Sequence, residues 1–346
     1  MTRHPDQSGK TVPTLADVAQ RAGVSTATVS RCLNAPDQVV ENTRKRVMQA
    51  VQELGYSPNF GARALAAKRT NTVGAVIPTM DNAIFARGLQ AFQEELGRSG
   101  ITLLVASSAY RPDLEAEQIR ALVARGADAL LLIGHDRDPG VYRFLEARGV
   151  PVLITWAFDA NAEKPSIGFD NRLAMSALAA EVIAQGHSRL AAITAEQACN
   201  DRARERMNGV REAMHKAGLQ AESLHLVETT YSVEHGAKAM ARLMAITPRP
   251  TAVICGNDVL AVGALQEAQK MGLKVPGDVS ITGFDDIELA RVVTPQLTTV
   301  HVPHRHMGRE AARHLVQMIG GTPFTQGVEL KTEVHLRGTL GPPPAR

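Results

Sequence analysis

The feature that most constrains this chain is a rhythm that begins at residue 72. Short apolar runs, TVGAVIP, ITLLVASSA, ALLLIG and PVLITWA, are separated by helical stretches rich in Ala, Leu, Glu and Arg. Alternation of this kind implies βα units and a parallel sheet, because consecutive parallel strands need a crossover long enough to be a helix. The rhythm resumes with SIGFD, RLAAITA, HLVET, TAVICGN and VSITGFDD, again with helices between. Two such runs predict an α/β body of two doubly wound parallel-sheet lobes, with the segment around 298–303, TTVHVP, crossing back between them.

Open parallel sheets bind ligands beyond the carboxyl ends of their strands. The residues that directly follow each apolar run therefore predict a cleft: Pro78 to Phe85, Ser107 and Ser108, Gly134 and His135, Trp156, Phe169 and Asp170, Asn257 and Asp258, and Phe284 to Asp286. Amides and carboxylates suit vicinal hydroxyls, and Phe85, Trp156, Tyr231 or Phe284 offer rings to the apolar face of a sugar. Each has a plainer reading. Phe85 and Trp156 would serve equally well as core aromatics, and Asp258 and Asp285 as caps of the helices that follow them.

The first 70 residues read differently. They hold ten Lys/Arg against five Asp/Glu, whereas the rest of the 346-residue chain holds 28 against 30, a basic head on a near-neutral body. LADVAQRA, residues 15–22, sets Leu15, Val18, Ala19 and Ala22 at helical spacing, and Gly23 ends that helix with a left-handed residue. Val24 plugs the corner. Ser25 is an N-cap for a second helix, 26–33, whose Val29 and Leu33 face the first and leave Thr26, Ala27, Ser30 and Arg31 outward. A third helix over about 43–54 buries Val47, Ala50 or Val51, and Leu54, then stops at Gly55. Three short helices around a glycine corner make an all-α helix-turn-helix head.

TLADVAQRAGVSTATVSRCLN, followed by VVENTRKRVMQAVQELGYSPN, resembles the DNA-binding head of the lactose-repressor family nearly position for position, and the likeness continues along the whole chain. The resemblance implies a helix-turn-helix head at 13–57, a hinge helix and linker at 58–70, and a two-lobed effector-binding and dimerisation domain of periplasmic-binding-protein type at 71–340. It implies that Thr26, Ala27 and Arg31 meet base edges in the major groove, where Arg forks guanine O6 and N7. Ser25, Thr28, Ser30 and Asn34 would then hold phosphates, which position the protein without reading sequence. In PNFGARALA, Asn59 joins the DNA contacts, and Leu65 matches the leucine that wedges into the minor groove and kinks the operator centre. So short a helix is marginal alone, and Gly61 weakens it further, so it would form only on DNA with a partner subunit.

For the cleft, the resemblance singles out Asn82, Phe85, Arg206, Tyr231, Asn257, Asp258 and Asp285, to which the strand ends add Trp156, Asp170 and Phe284. By composition alone Arg206, in the run RARERMNG, would be a solvated face. Leu173 stands where some relatives place a ligand-binding acid, and Val302 and His304 where the lactose repressor has a polar and an aromatic residue, so a lactose-like galactoside is not implied. IPTMDNAIFARGLQ resembles the gluconate-responsive branch, and with His135 and His304 near the cleft a sugar acid joins sugars and polyols as the effector.

The expected molecule is thus a non-enzymatic repressor that binds double-stranded, palindromic operator DNA as a homodimer and responds to a small molecule, without metal or cofactor. A solute-binding protein would carry an apolar export signal, and MTRHPDQSGKTVPTLADVAQ has none, which predicts a cytoplasmic protein with no membrane span. An enzyme would show a nucleophile with its base, a metal cluster or a phosphate loop, and GxxxxGK[ST], HExxH and GxSxG do not occur. The remaining rival is a regulator of the same fold that answers to a protein partner or to no ligand. Cys32, Cys199 and Cys255 are too scattered for a disulfide framework. The tail GTLGPPPAR carries no leucine heptad, which predicts a dimer rather than a tetramer.

Overall fold

The structure is a computed structural model that describes residues 12–57, 69–81 and 83–345. They form two compact units that divide between Thr70 and Asn71.

The first unit contains helices α1 (Leu15–Ala22), α2 (Thr26–Asn34) and α3 (Glu41–Leu54). α1 opens with a reciprocal cap in which the Asp17 amide donates to Thr14 Oγ1 at 3.3 Å and the Thr14 amide to Asp17 Oδ2 at 2.8 Å. It closes on Gly23, whose φ of +63° is left-handed. Ser25 caps α2 by accepting from the Thr28 amide at 3.2 Å. Val18, Ala19, Ala22, Val29, Cys32, Val47 and Ala50 are the buried core, with Leu15, Val24, Leu33, Val51 and Leu54 packed at its margin. Of the two choices the sequence left for α3, Ala50 is the buried one. That helix starts two residues earlier than the pattern predicted, at Glu41, where no side chain caps it.

The second unit holds two parallel sheets. In the first lobe β1 (Thr72–Ile77), β2 (Thr102–Ser107), β3 (Ala129–Ile133), β4 (Val152–Thr155) and β5 (Ser166–Gly168) alternate with α4 (Ala83–Arg98), α5 (Pro112–Ala124) and α6 (Pro139–Ala147). The second lobe follows with α7 (Asn171–Ala184), β6 (Leu190–Thr194), α8 (Asp201–Lys216), β7 (His225–Glu228), α9 (Val233–Met244), β8 (Ala252–Cys255), α10 (Asp258–Lys270), β9 (Ser280–Thr282) and α11 (Leu289–Val292). β10 (Thr299–His301) returns the chain to the first lobe, which gains α12 (His304–Ile319) and β11 (Val328–Glu329), and β12 (Glu333–His335) leaves it again. Strand order is β11-β5-β4-β3-β1-β2 in one sheet and β7-β6-β8-β9 in the other, with β10 and β12 paired antiparallel.

The apolar runs are strands because both faces of each central strand are covered: β1, β3, β4, β6 and β8 are buried throughout. One assignment changes. SIGFD, grouped by its rhythm with the second run, gives β5, which pairs with β4 through Ile154↔Ser166 and Thr155↔Ile167 and so belongs to the first sheet. The chain does cross back at 298–303, through β10, and among the described residues it also crosses after β5 and after β11. β11 and β12 are too short to announce themselves by periodicity.

Candidate effector cleft and DNA-reading surface

In the first unit α2 presents one face to solvent. Val29 and Cys32 point into the core, which turns Thr26, Ala27, Arg31 and Asn34 outward as exposed residues, with Thr28 and Ser30 half-buried beside them. The Arg31 guanidinium makes no hydrogen bond or ion pair among the described residues. Thr28 Oγ1 lies 2.9 Å from Ser25 Oγ, and Asn34 Nδ2 donates to Ser30 Oγ at 3.3 Å. Asn59 and Leu65 lie outside the described residues, as does Asn82 of the cleft.

In the second unit the strand ends of both lobes converge on one cavity lined by Phe85, Tyr110, Trp156, Arg206, Asn257 and Asp285 together with Ile84, Asn200, Arg202 and Tyr231. Phe85 projects from the first turn of α4 and meets Trp156 edge-on, ring centroids 5.2 Å apart. Trp156 directly follows β4 with a left-handed φ of +60°, and Asn171 Nδ2 holds its carbonyl at 2.9 Å. Both rings are core aromatics and cleft residues at once, 4% and 2% exposed.

Arg206 is not on a solvated face; α7 and the end of β8 enclose it at 4% exposure. Its Nε donates to Asn171 Oδ1 at 2.8 Å and its Nη1 to the Gly256 carbonyl at 2.6 Å. The guanidinium carbon sits 3.8 Å from the Phe284 ring centroid, and Phe284 stacks on Phe169 at 5.9 Å. Phe284 is therefore a fully buried platform for Arg206. Nη2 reaches to 3.6 Å from Asp285 Oδ1.

Asp285 has a left-handed φ of +102° and a fully buried side chain, and neither of its oxygens accepts a hydrogen bond among the described residues. Burial raises its carboxyl pKa to about 6, against the pull of Arg206 and Arg202. Asn257 caps α10 by accepting from the Leu260 amide at 2.9 Å, and its buried Nδ2 and Trp156 Nε1 have no hydrogen-bond partner among the described residues. Tyr231 packs against Tyr110 at 5.5 Å, and burial raises the pKa of both phenols. Behind Trp156, burial pushes His304 down to about 4; the neutral ring donates from Nε2 to the Asp285 carbonyl at 3.1 Å.

Three nominated acids sit elsewhere. Asp258 is buried, but Thr299 Oγ1 donates to its Oδ1 at 2.5 Å and the Ile287 amide to its Oδ2 at 2.8 Å, so one oxygen ties down β10 and the other the loop after β9. Asp170 caps α7 through the Leu173 amide at 2.9 Å and lines a separate, outer space with Asn171 and Asp201. Asp286 turns away from the cleft, with Arg291 and Arg337 each 2.7 Å from its carboxylate and His301 at 3.0 Å. Asp286, His301 and His335 bring potential metal ligands within 4.8 Å of one another, yet the two guanidiniums already neutralise that carboxylate.

Tyr110, Asn171, Asn200 and Arg202 were not singled out. Tyr110 sits three residues past β2, and Arg202 one helical turn before Arg206, so i,i+4 spacing held the signal for Arg202. Asn200 caps α8, a role that hides any other, and Asn171 stands just after the capping Asp170 of α7.

Residues 14–59 match the family described as bacterial regulatory proteins, lacI family, and residues 179–340 match a periplasmic binding protein-like domain. The chain is 35% identical over 310 residues to the HTH-type transcriptional regulator GntR of Pseudomonas aeruginosa, covering 89% of this chain and 90% of that protein. It is also similar to the Lac repressor dimer bound to operator and the anti-inducer ONPF, with a TM-score of 0.84 at 26% identity over 95% of this chain and 99% of that one. A complex of the transcriptional regulator CelR with cellobiose gives a TM-score of 0.69 at 30% identity over 94% and 99%.

Proposed function

This chain belongs to the lacI family of bacterial regulatory proteins, as a ligand-responsive DNA-binding transcriptional regulator, and we propose that its effector is a small polyhydroxylated molecule: a sugar, a sugar acid or a polyol. The observation that carries this reading is a set of buried polar atoms around one cavity, Asp285 Oδ1 and Oδ2, Asn257 Nδ2 and Trp156 Nε1, that have no hydrogen-bond partner among the described residues. Buried polar groups are costly unless paired, about 1–3 kcal/mol each. Two carboxylate acceptors beside amide, indole and guanidinium donors match hydroxyls, which both donate and accept. Phe85 and Trp156 offer apolar ring surface next to them. The similarity to a regulator solved with cellobiose points the same way.

In this reading the protein is a repressor rather than a catalyst. It acts in the cytoplasm, where the DNA is, and among the described residues no helix is long and apolar enough to cross a membrane. Each head of a homodimer reads one half of a palindromic operator through Thr26, Ala27 and Arg31 while Ser25, Thr28, Ser30, Asn34 and Asn59 hold phosphates, and Leu65 wedges the centre. The cleft controls the head only if the effector binds the DNA-competent and DNA-incompetent forms unequally, and the sign of that difference makes it a co-repressor or an inducer.

The test is a thermal-shift screen of the full chain against aldoses, aldonic acids and polyols. A ligand at 100 times its dissociation constant adds about 2.7 kcal/mol to stability. A stabilising compound that also changes operator affinity supports the reading; a flat screen overturns it in favour of a regulator controlled by a protein partner or by no ligand.

A further inference from the structure

Outside the cavity, the loop after β3 in the first lobe reaches the first turn of α8 in the second. Arg204 grips the Asp136 carboxylate with both terminal nitrogens, Nη1 to Oδ2 at 2.7 Å and Nη2 to Oδ1 at 2.9 Å. The His135 amide donates to Asp201 Oδ2 at 2.5 Å, and Arg202 Nη1 donates to the Ile133 carbonyl at 3.1 Å. Four consecutive residues of one lobe, Ile133 to Asp136, thus face four of the other, Asp201 to Arg204.

Both halves are stiff. On the first lobe, Arg137 is almost wholly buried; it donates to Glu115 at 3.2 Å and to the Ile133 carbonyl at 3.3 Å, and it also bonds Tyr142. On the second, Arg202 Nη1 pairs with Asp201 Oδ1 at 2.8 Å, which fixes the first turn of α8. Gly134 sits where they meet, with a left-handed φ of +70°. A Cβ there would lie 1.8 Å from Arg202 Nη1 and 2.4 Å from Asp201 Oδ1, so a side chain at 134 would displace the ends of both side chains, on a backbone that already favours glycine.

We propose that Asp136, Arg204 and the Gly134 contact form a latch that holds the two lobes closed over the cleft, so that residues outside the effector cavity set the balance between open and closed forms. Arg204–Asp136 is bidentate and partly shielded, 40% and 29% exposed, which places it above an ordinary surface pair in strength. Two discrete arrangements of packed lobes, biased by a few such contacts, are a recurrent form of hinge control. Asp136 and Arg204 do not line the effector cavity, whereas Arg202, against which Gly134 closes, does, so the latch adjoins the cavity wall.

The experiment is a distance measurement by pulsed electron paramagnetic resonance on the full-length protein without effector. Spin labels are placed at Glu117→Cys on α5 and Arg242→Cys on α9, both exposed, in a Cys199→Ser background. The proposal expects one short distance in the parent and a longer-distance population, raised several-fold, in Asp136→Asn and in Arg204→Gln. The exchanged pair Asp136→Arg with Arg204→Asp should return the short distance, which a merely structural role for either residue would not do. Gly134→Ala, which displaces the Arg202 and Asp201 side-chain ends, should also raise the longer-distance population. If one single variant fails to fold, the other reads the same contact. Distances unchanged in the folded single variants, or an exchanged pair that stays open, would overturn the latch.

Discussion

Arg206 and Asp285 face each other across 3.6 Å inside the cleft, oppositely charged, both buried, and not hydrogen-bonded to each other. Arg206 is held by Asn171 and the Gly256 carbonyl, so it cannot swing closer, and Asp285 is held by a left-handed backbone whose amide donates to the Val300 carbonyl at 2.9 Å. Strain and unmet hydrogen bonding kept together in one place mark a site organised for something else to bind.

Asp285→Asn should weaken effector binding by about 1.5–3 kcal/mol for each charge-assisted hydrogen bond lost, while operator affinity without effector stays within error. Isothermal titration of both proteins with a stabilising compound from the thermal-shift screen checks this.

The same carboxyl predicts a pH dependence. Its pKa rises from 3.8 to about 6 on folding, so the folded state holds the proton more tightly and stability falls as pH rises through that interval, then levels off. Effector hydroxyls that donate to the carboxylate favour its ionised form. Affinity should therefore climb through about pH 6 and be weaker at about pH 5 than at about pH 8. In Asp285→Asn that dependence should vanish, as titrations across the range would show.

Arg31 is free of partners among the described residues on the outward face of α2. Arg31→Ala should cost about 1–3 kcal/mol in operator binding and relax specificity at one base position, measured by fluorescence anisotropy against a set of singly substituted operators. A uniform loss over the whole set would assign the residue to a phosphate instead.

The corner of the head rests on Gly23 and Arg46. Arg46 Nη2 bonds the Ala22 carbonyl and lies 3.3 Å from that of Gly23, and a Cβ on Gly23 would sit 3.0 Å from the same nitrogen. Gly23→Ala should destabilise the head by about 1–2 kcal/mol through its left-handed backbone and lower operator affinity, with effector binding unchanged. A two-ligand titration, DNA and then effector, separates the two.

Much of this was legible in the residues because local and global signals agree. α1 carries its cap, its apolar stripe and its terminal glycine within 10 residues, Thr14 to Gly23, and the structure follows that pattern. Both lobes were foreshadowed by apolar runs that have to be buried on two faces. The rule that ligands sit beyond strand ends nominates Phe85, Trp156, Asn257 and Asp285, and in the structure all four line one cavity. Strand-end position does not reveal that the Asp258 carboxylate is taken up by Thr299 and the Ile287 amide. It missed Arg202 and Tyr110, whose placement depends on helix phase and on a left-handed turn at Ala109 and Tyr110. The latch was not legible at all, because Asp136 and Arg204 meet only through the relative positions of the two sheets.

Trp156 is the sole tryptophan of the chain and lines the cavity with an indole nitrogen that has no partner among the described residues, so its emission reports directly on the cleft. The decisive measurement is a titration of parent and Asp285→Asn protein with aldoses, aldonic acids and polyols, following Trp156 fluorescence and operator anisotropy in the same samples. The account predicts that a compound shifts the emission saturably in the parent, changes operator affinity at the same concentrations, and loses both effects together in Asp285→Asn. A compound that alters operator binding equally in both proteins while leaving Trp156 emission untouched would contradict it.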